Sequence, residues 1–306
     1  MTSIVTNNSA MAALQTLQGI QSNLQSTQSA VSSGLRISKA SDNAAYWSIA
    51  TTMKSDTSAI GAVSDALGLG AAKVDTATTA VTSALDVVSS IKSKLVTAME
   101  GSVDKGQVQE EIGQLQQQLQ SVAQSASFNG ENWVMAANGG SASVVSSFIR
   151  GTNGTVSVST TSYEFNTGAT GNVLFGADAS GNIQTSSGIL GSQSTIGGKQ
   201  FSVFSLDITG MTGGEISSAL NMVQTALNSM TSMGSKLGSI SSRIDLQTTF
   251  ASSLSGSIES GVGKLVDANM EQESSKLSAL QTQQQLAIQS LSIANSSTQS
   301  ILSLFR

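Results

Sequence analysis

The sequence predicts a mainly α protein, a long antiparallel coiled-coil or helical-bundle hairpin with a small β-rich insertion in the middle of the chain. Three observations predict it. Apolar residues recur at spacings of four and three through most of the first half, the same spacing returns in the second half, and between the two the periodicity falls to two.

The clearest stripe starts at Ile49 and runs through Met53, Asp56, Ile60, Val63, Leu67, Gly70, Val74, Ala77, Val81, Ala84, Val88, Ile91 and Leu95, broken only at Asp56 and Gly70. A seam this long and narrow requires one continuous helix packed along other helices, a rod of roughly 75 Å at the usual helical rise. After a break at 101–106 the pattern resumes at Val108, Ile112, Leu115, Leu119, Val122 and Ala126, and it ends at the turn signal Asn129-Gly130. A third rod reads Ile216, Leu220, Val223, Leu227, Met230, Leu237, Ile244, Ala251, Ile258, Val262 and Leu265, weakened at Gly234, Ser241, Thr248 and Ser255. The second half must therefore return alongside the first.

Between the rods, alternation in Thr155-Val156-Ser157-Val158, Tyr163-Glu164-Phe165 and Phe204-Ser205-Leu206-Asp207-Ile208 predicts short strands. Asn138-Gly139-Gly140, Asn153-Gly154, Gly181-Asn182 and Gly197-Gly198 predict the turns between them. The insertion is expected at the far end of the rods. The two chain ends form a matched pair. Ala10, Ala13, Leu17, Ile20, Leu24, Thr27 and Val31, with Leu14 beside them, repeat at three and four, and Leu277, Leu280, Gln284, Ala287, Leu291, Ala294, Thr298 and Ile301 do the same at the other end. Each stripe is too narrow and polar to stand alone, so it must pair with the other or with a neighbouring molecule. Subunit contacts are expected at Leu14, Leu17, Ile20, Leu24, Val31, Leu277, Leu280, Leu291, Ile301, Leu302 and Phe305. Thr27, Gln284 and Thr298 read as register-setting polar layers. The expected divisions are 1–42, an inner helix and linker; 43–130, rod helices; 131–212, the insertion; 213–266, the return rod; and 267–306, the second inner helix.

Composition narrows the chemistry. The 306 residues include no Cys, no His and no Pro, carry a formal charge of −5, and are only 11% charged. Without Cys or His there is no disulfide framework, no thiolate nucleophile, no imidazole base and no ordinary zinc site, so no cofactor or metal is expected. Absence of Pro, where about 5% is average, permits unkinked helices and removes slow prolyl isomerisation. The acidic balance argues against nucleic acid. No apolar run approaches the roughly 18 residues that span a bilayer, and the first basic residue is Arg36, so a cleaved secretory leader is not expected either.

Gly198-Lys199 lacks the surroundings of a phosphate loop, with Gln193 and Gln200 at the positions that loop needs for Gly and Ser or Thr; it reads as a hairpin turn. Glu110 with Glu111, and Glu271 with Glu273, read as solvated helix-face carboxylates, since no nucleophile or metal ligand accompanies them. The glycosylation-like triplets at Asn7, Asn153 and Asn295 read as coincidence.

Several segments together resemble bacterial flagellins: Ser32-Ser33-Gly34-Leu35-Arg36-Ile37, then Ala40-Ser41-Asp42-Asn43-Ala44-Ala45 and Ile49-Ala50, preceded by Ile4, Thr6 and Asn7. Phe128-Asn129-Gly130, Ser242-Arg243-Ile244, Val266-Asp267-Ala268-Asn269-Met270 with Glu273, and the stretch from Ala294-Asn295 to Leu302-Ser303-Leu304 extend the resemblance in the family's order. Ser33, Gly34, Leu35, Arg36, Ile37, Asp42, Asn43, Ala44 and Ala45 form the signature segment. The short central region is similar to that of alphaproteobacterial members.

The resemblance implies an extracellular, non-enzymatic subunit of the motility filament, with its terminal helices innermost and its middle facing outward. It implies export in an unfolded state by a type III apparatus. The implied partners are further copies of itself or co-assembling flagellins, an export chaperone, and cap and hook-junction proteins, with no nucleic acid or membrane. Where the family commonly has Asp-Asp-Ala-Ala-Gly this chain has Asp42-Asn43-Ala44-Ala45-Tyr46, and Ser90 stands near an Arg that immune receptors read in other members; host receptors are expected to recognise it weakly. A hook-junction protein would match the signature less fully. An adhesin would need a larger central domain, and a filament-borne peptidase would need a His-Glu-x-x-His site that a His-free chain cannot form.

Overall fold

The computed structural model describes residues 6–151 and 155–304, with side chains described as far as Ser296. It divides into two compact units, Met1–Ser58 with Ser255–Arg306, and Ala59–Leu254. The predicted turn at Asn153-Gly154 and the side chains of Thr298, Ile301 and Leu302, together with Ile4 and Phe305, lie outside the described residues.

The first unit holds α1 (Asn8–Ser33), α5 (Met270–Leu304), the start of α2 (Ala44–Ala98) and the end of α4 (Gly213–Val266). Asn7 caps α1, its side-chain oxygen accepting from the Ala10 amide at 3.0 Å. Helices α1 and α5 pack antiparallel: the start of α1 meets the end of α5 where Asn7 Nδ2 donates to the Ala294 carbonyl at 3.0 Å, and the opposite ends meet where Leu35 bridges Asp267. The half-buried positions of α1 include Ala10, Ala13, Leu17, Ile20, Leu24 and Val31, with Thr27 buried; on α5 they include Leu277, Gln284, Ala287, Leu291 and Ala294, with Leu280 buried. These are the predicted stripes, and within the chain they form the seam between the two helices.

The start of α2 departs from the predicted heptad. Ile49 is 46% exposed, while Ala50 is buried with Ile37, Val262 and Val266. The seam here is set by the chain segment after α1 and by the end of α4, which cover the side of α2 carrying Ala50 and Met53. Spacing alone cannot register such a change of partner.

In the second unit every stripe position of α2 from Ile60 to Leu95 is buried, and the apolar side chains from Val63 onward share one core with Val108, Ile112 and Leu119 of α3 (Lys105–Ser125) and Ile216, Val223, Met230 and Leu237 of α4. Gly70 keeps the seam but without a side chain, because a Cβ there would collide with Val144 Cγ1 of the insertion. Lys94 pairs with Glu111, and Lys92 Nζ donates to Gln224 Oε1 at 2.7 Å. Many helical Ser and Thr hydroxyls donate to the carbonyl four residues back, as Thr78 does to Val74 at 2.8 Å. This habit lets a Ser/Thr-rich chain remain helical, since the hydroxyl is satisfied without leaving the helix. Helix α4 opens on a reciprocal capping box in which Glu215 Oε2 accepts from the Thr212 amide at 2.7 Å and Thr212 Oγ1 accepts from the Glu215 amide at 3.4 Å.

The insertion shares this core instead of forming one of its own. Strands β1 (Ser127–Phe128) and β2 (Glu131–Asn132) form a hairpin, as do β4 (Ser141–Arg150) and β5 (Val156–Glu164), and β8 (Ser194–Ile196) and β9 (Lys199–Phe201). Strands β3 (Met135–Ala136), β6 (Phe175–Ala177) and β7 (Ile183–Gln184) make a small mixed sheet, parallel between β3 and β6. The predicted alternation at 155–158 and 163–165 falls on and just beyond β5. Tyr163 stacks on Trp133 at 5.6 Å between centroids, and Phe165 meets both rings edge-on. Gly197 and Gly198 turn the β8–β9 hairpin with φ of 59° and 79°, as read from sequence.

The expected strand Phe204–Ile208 is not a strand. Leu206 and Ile208 do alternate into the core, but the Leu206 carbonyl and the Ile208 amide bond to side chains of α3. Gln116 Nε2 donates to the Val203 and Leu206 carbonyls at 3.1 Å, and Gln109 both donates to the Leu206 carbonyl and accepts from the Ile208 amide. Two glutamines stand where a neighbouring strand would be, so alternation of burial was preserved without a ladder.

Candidate functional site

The signature segment and the paired terminal helices meet in the first unit. Helix α1 ends because Gly34 takes the left-handed conformation at φ 72°, ψ 4°, with its amide donating to the Ala30 carbonyl at 2.9 Å. That turn carries Leu35 onto Asp267, and the Ala268 amide donates to the Gly34 carbonyl at 2.9 Å. The Arg36 and Ile37 amides both donate to the Val266 carbonyl, at 2.7 and 3.2 Å. Arg36 also donates through its guanidinium to the Leu265 carbonyl at 2.8 Å. One cation and two amides thus complete the carbonyl end of α4, where the helix dipole favours positive charge. Ile37 is buried against Ala50, Val262 and Val266, with Leu35, Met53, Ile258 and Leu265 packed around them.

The rest of the signature starts the next helix. Asp42 Oδ2 accepts from the Ser38 and Lys39 amides, both at 3.0 Å, and the Lys39 and Ser38 amides hold its carboxyl below the usual aspartate range. Asn43 Oδ1 accepts from the Tyr46 amide at 3.1 Å and so caps α2. An Asp at that position would cap equally well, which is how Asn43 replaces the family's commoner residue without loss of the turn. Ser33 Oγ accepts from the Leu35 amide at 3.2 Å, while Ala44 and Ala45 are exposed. Asn269 caps α5, its side chain accepting from the Glu271 and Gln272 amides at 3.1 and 3.2 Å.

Of the residues expected at subunit contacts, Leu17, Ile20, Leu24, Val31, Leu277, Leu280 and Leu291 lie in the α1–α5 seam, and Leu14 is 44% exposed. Sequence reasoning missed Met11, Leu286, Ile288 and Ile293, which are 61%, 59%, 54% and 70% exposed. The signal that could have found them is their position: large apolar residues on the same helices, off the stripe. Tyr46 and Trp47, at the first turn of α2, are also exposed. Glu110, Glu111 and Glu271 are exposed, and among the described residues no group of three or more acidic side chains is placed to hold a metal ion. No described helix is long and apolar enough to cross a membrane.

Residues 4–138 match the family profile of the bacterial flagellin N-terminal helical region, and residues 220–305 that of the bacterial flagellin C-terminal helical region. The chain is 44% identical over 395 aligned positions to Flagellin A of Rhizobium meliloti, 46% over 326 to Flagellin C of Rhizobium meliloti strain 1021, and 46% over 309 to a flagellin of Brucella melitensis. In each case the alignment covers 100% of both chains.

Proposed function

The chain belongs to the bacterial flagellin family, a structural subunit of the extracellular flagellar filament that serves motility, and from that premise we propose that it assembles through the outward faces of α1 and α5. The observation that carries this reading is a division of labour along the two helices. The stripes cover each other, while Met11, Leu14, Leu286, Ile288 and Ile293 keep large apolar surfaces in solvent. At about 25 cal/mol per Å² of apolar area removed from water, covering such side chains in a polymer supplies a driving force the single chain does not use. Ile301, Leu302 and Phe305 extend the same proposal to the C-terminal tip.

The signature segment acts in this reading as the positioning element. By tying the end of α1 to the α4–α5 connection, it fixes the register of the seam and therefore which residues face outward. Export unfolded, capture of the C-terminal helix by a chaperone, and assembly beneath a cap and beyond hook-junction proteins complete the proposal. Weak recognition by host receptors belongs to it as well, supported by the exposed Tyr46 ring in place of the family's Gly. Seeded polymerisation of chains lacking residues 1–40 or 270–306 tests the proposal. Neither truncated chain elongates seeds if assembly runs through these helices, and normal elongation by either would overturn it.

A further inference from the structure

The β1–β2 turn holds a chemically reactive pair that plays no part in assembly as described above. Asn129 is the one residue other than glycine with positive φ among those described, at 52°, and it is exposed. Gly130 follows with φ 83° and open space around its Cα. Among the described residues neither the Asn129 side chain nor the Gly130 amide has a hydrogen-bond partner. Only two residue pairs, Ser127 with Asn132 and Phe128 with Glu131, close the turn. So short a ladder opens locally at little cost.

We propose that Asn129 is a site of spontaneous covalent modification by deamidation. The Gly130 backbone nitrogen attacks Asn129 Cγ; the new N–Cγ bond forms, the Cγ–Nδ2 bond breaks, and ammonia leaves with the proton lost from the Gly130 amide. Water then opens the resulting succinimide at either carbonyl, giving aspartate or isoaspartate with no oxidant or reductant involved. The second described Asn-Gly pair shows what protection looks like. The Gly139 amide, the would-be nucleophile, donates to the Phe165 carbonyl at 2.9 Å, and Asn138 Oδ1 accepts from the Thr167 amide at 3.3 Å. Phe165 in turn donates to the Gly140 carbonyl at 2.8 Å and packs against Trp133 and Tyr163. Attack at Asn138 has to break that set first, whereas at Asn129 nothing needs breaking beyond the turn.

The product matters locally. A carboxylate at 129 sits two positions from Glu131, whose own carboxylate holds Lys73 at 2.9 Å. An isoaspartate also lengthens the backbone inside the turn and shifts the Phe128–Glu131 register. The test incubates the full chain at mildly alkaline pH, in buffer and in denaturing urea. Electron-transfer fragmentation of the tryptic peptide 106–150, which carries Asn129, Asn132 and Asn138, then assigns the gain of one mass unit to each position. In buffer Asn129 deamidates about tenfold faster than Asn138, and in urea the two rates converge, because only folding distinguishes them. Equal rates in buffer, a faster Asn138, or a ratio unchanged by urea would overturn the proposal.

Discussion

Arg36 and Leu265 lie 229 positions apart, yet the guanidinium of the first donates to the carbonyl of the second at 2.8 Å. Two segments from opposite ends of the chain are joined there by a cation on a helix C-terminus. Replacing Arg36 with Gln removes the charge and the reach. Because the group is exposed, the expected loss is modest, about 1 kcal/mol, read as a lower denaturant midpoint with an unchanged slope. A midpoint equal to wild type would mean that the contact is incidental.

Gly70 presents a steeper case. Gly70→Ala adds helix propensity worth about 1 kcal/mol, but its methyl meets Val144, and overpacking of this kind costs about 1–3 kcal/mol. The single variant is therefore expected to be less stable than wild type, and Gly70→Ala with Val144→Ala to be more stable than the sum of the two single changes. Additive effects in a double-mutant cycle would show that the two residues do not compete for the same space.

Thr27 is 1% exposed in the α1–α5 seam, and its Oγ1 has no hydrogen-bond partner. Thr27→Val keeps the shape and removes a buried, unsatisfied hydroxyl, so thermal unfolding should move upward by the equivalent of about 1 kcal/mol. If the hydroxyl instead fixes register, as a polar layer in a seam can, the variant's seeds should elongate with altered kinetics. Calorimetry and seeded growth measure the two effects separately.

The pH dependence follows from six groups. Lys73 holds the Glu131 carboxyl low, the Asn182 side chain does so for Asp178, the Thr209 amide for Asp207, the Thr212 amide for Glu215, and the Lys39 and Ser38 amides for Asp42. Each carboxylate is harder to protonate when folded, so its contribution is complete above the ordinary values of 4.5 for Glu and 3.8 for Asp and is lost as pH falls below them. With no His in the chain, the melting temperature should be flat from about pH 5 to 8 and fall steeply on the acid side. At the other extreme, burial pushes the Tyr163 phenol up to about 12 from 10.0, partly offset by the Asn172 side chain. Its stabilisation is complete below pH 10.0 and is lost as pH rises toward about 12. In a Tyr46→Phe chain, phenolate absorbance should therefore appear only as the fold is lost; ionisation at 10.0 with the fold intact would contradict it.

The helices and their buried faces were legible because a heptad repeat states both the element and the face that needs cover; from Ile60 to Leu95 the stripe and the core coincide. Gly70 looked like a flaw until Val144 supplied its reason. Ile49 and the 204–208 segment were misread for one shared cause, that periodicity reports which side is covered and not what covers it. Gln109 and Gln116, ordinary polar residues in the sequence, replaced a β-strand. At the candidate site the stripes were legible, but Met11, Leu286, Ile288 and Ile293 were not, since their exposure is defined only once α1 and α5 have paired.

The separation of seam from outward face is the central claim, and seeded elongation by two variants tests it most directly. Leu286→Glu with Ile293→Glu changes only exposed side chains, so the monomer should melt as wild type does while seeds fail to elongate. Leu280→Ala, in the seam, should destabilise the monomer by about 2–3 kcal/mol and still permit growth at temperatures where the chain is folded. Normal elongation by the outward-face variant, with its loss confined to the seam variant, would contradict the account.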